Sequence, residues 1–145
     1  MGLDKRDHSS LVFWAADCAE HALPHFEEKY PKDNRPRNAV EAGRAWARGE
    51  IAVSEARTAA MAAHAAARDA NQAAARAAAR AAGQAAATAH VAAHAAHAAN
   101  YAVTAATYAA DPTGSAAATA KERDWQYRRL PERLRPVAFP ARGDN

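Results

Sequence analysis

Alanine fills 47 positions of this chain, against 25 held by all larger apolar residues together. A core made this way consists mainly of methyl groups and closely approaching backbone. Alanine is the best helix former and loses no side-chain rotamer entropy on folding. Alanine faces also let helix axes approach to about 8 Å, the low end of normal packing. β-Branched residues are few and no segment alternates with period two. The chain therefore predicts an all-α fold, a compact helical bundle of about five to six helices with tightly packed Ala-rich central helices. Its 145 residues suit one domain over 1–145, with a core from about 10 to 137 and a tail over 138–145.

Punctuation divides the chain. Ser9 or Ser10 can cap a first helix whose inner stripe is Leu11, Trp14, Cys18, His21 and His25, with Pro24 kinking it or opening a new turn. The run from Tyr30 to Pro36 reads as a loop, and a second helix extends from there to Arg48, ended by Gly49 and anchored by Trp46. Ser54 is the expected cap of a third helix to Asp69, with an inner stripe of Arg57, Met61, His64 and Arg68. A break at Asp69 to Gln72 precedes a helix carrying Arg76 and Arg80, which Gly83 either ends or lets cross a neighbour closely. Asp111 to Ser115 is a turn, and a last helix follows to Arg129, with Lys121, Glu122, Arg123 and Asp124 in water and Trp125 packed. Beyond Pro131 a short turn and an extended tail from Pro136 are expected.

Between Ala81 and Ala110 lie thirty residues without Asp, Glu, Lys or Arg. His90, His94, His97, Tyr101, Thr104 and Tyr108 recur there at steps of four and three, so they share one helical stripe. An uncharged helix is normally buried, which predicts a histidine-lined interior whose imidazoles need partners. His90 and His94 at i, i+4 have zinc-binding spacing, and His64 or His21 would be a better third ligand than His97. The stripe holds no carboxylate, however, so no metal or other cofactor is favoured; were zinc or another divalent ion held, His64, His90 and His94 would hold it.

Two further constellations bear on chemistry. Asp17 and His21 lie one helical turn apart, so the carboxylate can orient the imidazole, and Cys18 neighbours both. The plainer reading makes Cys18 a small core residue. Arg57, Arg68, Arg76 and Arg80, with His64, could line an anionic pocket, because Arg binds carboxylate or phosphate through two parallel hydrogen bonds. No P-loop, dinucleotide fingerprint, GxSxG or HExxH motif occurs.

The net charge of +3 and pI of about 9.3 are mildly basic, without the clustered cations of a nucleic-acid face. One cysteine suits a reducing compartment, and the first ten residues lack the apolar run of a signal peptide, so a cytoplasmic location is expected. The uncharged stretch is long enough to span a bilayer, but Gln84, His90, His94, His97 and Asn100 would each be costly there, which excludes a membrane helix.

Several phrases carry a family likeness: ADCAEH at 16–21, YPKDNRPRNAVEAGRAWARGE at 30–50, VSEAR and AAHAAAR within 53–68, ATAHVAAHA at 87–95, and WQ with LPERLRP within 125–136. Over about residues 10–137 the chain resembles the bacterial Imm-5-like immunity proteins. The resemblance implies a small cytoplasmic helical protein that neutralises a co-produced toxin; it carries no catalytic residue set. His97 lies outside the matching phrases, which leaves His64, His90 and His94 as the core of any site.

Two functions are thus set side by side. In the first the chain binds a toxin through its surface, and its positive charge argues against a basic nuclease as target. In the second it is a small enzyme or ligand-binding bundle acting by acid–base chemistry on a small or aromatic substrate. His21, Asp17, His64, His90 and His94 are then the candidate catalytic groups, and Arg68, His64, His90, His94 and Tyr101 the candidate ligand-binding ones. The residues leave open whether the chain is an enzyme. A homodimer is compatible with the sequence, and nucleic acid is not favoured as a partner.

Overall fold

The computed structural model describes residues 3–139 and is all-α there. Helix α1 spans Lys5–Ala22, α2 Pro24–Glu27, α3 Arg35–Ala47, α4 Val53–Asp69, α5 Ala73–Ala87, α6 His94–Ala109 and α7 Ser115–Arg129. A 3-10 turn at Glu132–Leu134 follows Pro131 as expected, and a last helical turn, α8, at Arg135–Ala138 replaces the start of the expected extended tail; residues 140–145 of that tail lie outside the described residues.

Local chemistry sets the ends. Asp4, not Ser9 or Ser10, caps α1 by accepting from the Asp7 amide at 2.8 Å. Pro24 opens α2 from the first-turn position that proline favours. Gly49, with φ of +78°, turns the chain out of α3 in the left-handed conformation glycine tolerates. Helix α4 begins before the expected cap, with Glu55 reaching back to the Ala52 amide at 3.2 Å. The Asp111 carboxylate closes the α6–α7 turn by accepting from the Thr113 hydroxyl at 2.6 Å and the Gly114 amide at 2.9 Å.

The uncharged stretch from Ala81 to Ala110 is shared by α5 and α6, and Gly83 does not end the first of them. The break falls at residues 88–93. Buried Thr88 bonds through its hydroxyl to the Gln84 carbonyl at 2.8 Å, a back-bond that favours bending. The Thr88 carbonyl, left without a helical partner, accepts from His8 Nε2 at 2.7 Å.

Helix α5 lies at the centre and packs on α1, α2, α3, α4 and α6. Ala75, Ala77 to Ala79, Ala81, Ala82, Ala85 and Ala86 are all buried there. The larger anchors complete the core: Leu11 and Trp14 from α1, Leu23 at the α1–α2 junction, Phe26 from α2, Val40 from α3, and Leu130 and Leu134 from the C-terminal end. At the α3–α5 crossing a Cβ on Gly43 would lie 3.4 Å from the Ala85 carbonyl oxygen and 3.5 Å from Val12. That is ordinary contact, so Gly43→Ala should add up to about 1 kcal/mol of stability by helix propensity and lost chain entropy. At the α4–α5 crossing a Cβ on Gly83 would lie 2.7 Å from the His64 ring. Gly83→Ala should therefore destabilise by about 1–3 kcal/mol, and His64→Ala in the same chain should reverse much of that loss. Thermal denaturation of the three variants checks both statements.

The side-chain stripes expected to point inward largely point outward. On α4 the buried positions are Ala56, Ala60, Ala63, Ala66 and Ala67, whereas Arg57, Met61 and Arg68 are exposed and His64 is half-buried. On α6 they are Ala95, Ala98, Ala99, Ala102, Val103 and Ala105. The His–Tyr ladder lies on the outer side: His90, His97 and Tyr108 are exposed, and His94, Tyr101 and Thr104 are half-buried. Close-packed axes leave room only for methyl groups between them, so the larger residues turn out.

Candidate functional site

The candidate residues divide between two places. The first joins α1 to α7. His21 Nδ1 lies 2.9 Å from Glu122 Oε1, and Glu122, expected in water, is only 9% exposed at its side chain. The His21 ring stacks on Trp125 with centroids 3.8 Å apart, and the Arg129 guanidinium sits 4.7 Å from the Trp125 ring centroid. Gln126 extends the network, donating to the Ala99 carbonyl at 2.9 Å. Asp17 does not orient His21. It accepts from Arg44 at 2.8 Å and Arg129 at 3.3 Å. Arg44 also holds Glu20 at 2.5 Å and Glu41 at 3.0 Å. Cys18 is buried, and that burial, with Glu122 and Asp17 nearby, pushes its thiol well above the usual range. A thiol held protonated is a poor nucleophile, and the polar groups of this cluster pair with one another across α1, α3, α6 and α7. Sequence reasoning missed Glu122. The signal was its spacing with buried Gln126 and Leu130, four residues apart each, hidden among charged neighbours.

The second place is a band across α4, α5 and α6. The His64 ring rests on Gly83, and its buried Nδ1 has no hydrogen-bond partner. Arg80 lies one turn before Gly83 on α5, and Arg68 one turn after His64 on α4. Next along α5 comes Gln84, whose Oε1 accepts from His94 Nδ1 at 2.8 Å. The His94 ring meets His97 edge-on, centroids 5.5 Å apart. Beyond them Gln84, His97, Asn100, Tyr101 and Thr104 line a groove of about 320 Å³. The structure thus brings His64, Arg68, His94 and Tyr101 onto one face, with His90 on the turn beside it, and places His21 and Asp17 in the other cluster. Among the described residues no three His, Cys, Asp or Glu side chains gather as a metal-holding group.

Burial, then the charges of Arg80, Arg68 and His94, lowers the pKa of His64 below 6.5. Burial, then His97 and His90, lowers that of His94. The unfolded chain, with histidines near 6.5, then binds more protons than the folded one, so this contribution to stability is complete above about pH 6.5 and is lost as pH falls through the folded values. The Tm should fall between pH 7 and pH 5, above the window of the carboxylates, and His64→Gln should flatten that fall. An unchanged slope in the variant would mean that His64 is not the group responsible.

A family model described as "Imm-5 like putative immunity protein" matches residues 1–133. The chain belongs to this family. No curated protein and no solved structure matches the chain. Among the described residues no helix is long and apolar enough to cross a membrane.

Proposed function

We propose that this chain is an immunity-type protein that binds a partner toxin through its surface and neutralises it. Membership of the family points to a protein partner, and one observation carries the rest. The segment without charged residues has its larger side chains outside, where His97, Asn100 and Tyr108 are exposed and Tyr101 is half-exposed. Burial does not account for the missing charge. Protein interfaces do call for it, because their cores are depleted of charged residues and enriched in tyrosine. The acid–base reading finds less support. It drew on an interior shared by His21, His64 and His94, whereas His21 pairs with Glu122 and the His64 ring lies against the Gly83 backbone.

The test is co-expression with each candidate toxin domain found among the genes neighbouring this one, in a host that the domain kills. Restored growth, with the two proteins co-purifying at equal stoichiometry, is the expected result. Continued killing despite soluble, folded chain would overturn the reading.

A further inference from the structure

Arginine is distributed unevenly over this fold. Around α1, α3 and α7 most arginines hold a carboxylate: Arg37, Arg44, Arg48, Arg128, Arg129 and Arg133 do, whereas Arg6, Arg123 and Arg135 hold none among the described residues. On the α4–α5 face the pattern reverses. Arg57, Arg68 and Arg80 have no carboxylate within 4.0 Å among the described residues, and Arg76 reaches only the Ala70 carbonyl, at 3.4 Å. The sequence supplies few acids there. Between Ala56 and Ala110 the one carboxylate is Asp69, and Arg35 holds it at 3.0 Å. Lysine is also absent from Asp33 to Ala120, so every permanent cation on the face is a guanidinium.

The stripes are contiguous. Arg57, Met61, His64 and Arg68 follow one side of α4; His64 abuts α5 at Gly83, beside Arg80; and Gln84 is bonded to His94 of α6. Met61, 69% exposed, lies between Arg57 and Arg68 along α4, and Tyr101 stands on the groove wall beyond Gln84. Arginine, tyrosine and methionine are the residues enriched where proteins meet, and alanines between them leave room for a partner's side chains.

We propose that the α4–α5–α6 face docks a protein partner through a cluster of aspartate and glutamate side chains on that partner, which seat on Arg68 and Arg80 beside His64, with Met61 and Tyr101 as flanking anchors. This rests on the immunity reading and adds the chemistry of the target: the toxin presents an acidic patch. A guanidinium presents a rigid fork that matches a carboxylate with two parallel bonds, and here no internal acid competes for it. A nucleic acid is the rival anion. It needs densely clustered cations to displace its counterions, whereas these arginines are separated by a helical turn or more of alanine and neutral side chains.

The test measures binding of the purified toxin domain, by calorimetry, to the wild-type chain and to variants of matched thermal stability. Arg68→Glu with Arg80→Glu is expected to raise Kd about 100-fold or more, Arg80→Lys about tenfold, and Arg48→Glu, just past the end of α3, less than about threefold. If the wild type binds and the double variant binds equally well, this proposal is wrong and the immunity reading stands. Should the wild type not bind the toxin at all, the immunity reading fails and the proposal falls with it. A 20-base-pair DNA duplex serves as the second probe. Tighter binding to it than to the toxin, abolished by the same charge reversals, would assign the face to nucleic acid instead.

Discussion

Ala86→Leu is expected to destabilise the protein by about 3 kcal/mol, a fall in Tm of roughly 10 °C. Ala86 is fully buried on α5. Its Cα lies 3.6 Å from the position a Cβ on Gly43 would occupy, so α3 and α5 touch there almost backbone to backbone. Leucine adds three carbons to a site that holds one. The helices must separate, or the new side chain must leave its rotamer wells, and either loosens contacts along the whole crossing. In a leucine-rich bundle the opposite change, large to small, is the damaging one. Here small to large is, and a scan of buried alanines by thermal denaturation checks it. Ala109→Leu, at an exposed position on α6, is the control and should shift Tm by little.

Trp14→Ala should cost about 3–5 kcal/mol, the largest single-residue loss expected in the molecule. Trp14 is 2% exposed and is one of the few large side chains around a methyl-built centre. Its ring meets Phe139 edge-on with centroids 5.7 Å apart. Its indole N–H donates to the Gln126 carbonyl at 2.8 Å, one of the last four carbonyls of α7, which have no partner inside their own helix. Through Gln126 the contact continues to Ala99 of α6, so Trp14 ties three helices at one point. Trp14→Phe separates the two contributions. It keeps most of the buried ring and loses the donor, for an expected cost of about 1–3 kcal/mol. Equal losses for the two variants would mean that the hydrogen bond, rather than the packed ring, holds α7.

The helices were legible in the sequence because alanine propensity and turn residues agree. The loop after Tyr30, the stop at Gly49, the break within Asp69 to Gln72 and the last helix from Ser115 to Arg129 fall close to where proline, glycine, asparagine and serine place them, with α3 already begun at Arg35 and α4 keeping Asp69. The facing of the helices was not legible. Size ordinarily marks the buried stripe, and by that rule Met61, Tyr101 and Tyr108 belong inside. In a bundle built on methyl contacts the rule inverts, and the three-four spacing of larger residues marks the outer face of α4 and α6. The interruption after Ala87 was hidden for a related reason. Neither proline nor glycine marks it, and it depends on Thr88 bonding back along its own helix while His8, eighty residues away, takes its carbonyl. Of the candidate residues, His64 and Arg68 were recognisable as neighbours from helical spacing; His90 and His94 have the same spacing, but the break at 88–93 leaves His90 on the turn before α6. That α5 would join the two pairs through Gly83 and Gln84 required tertiary structure, as did the exchange of Asp17 for Glu122 beside His21.

The methyl-built centre also governs how the protein answers to temperature. The heat capacity gained on unfolding follows the apolar area released to water, and a buried alanine releases far less than a buried leucine. The increment for this chain should lie below the usual 12–15 cal/mol/K per residue, which flattens the stability curve. A fold of this kind should therefore give up its stability gradually on cooling and on warming alike.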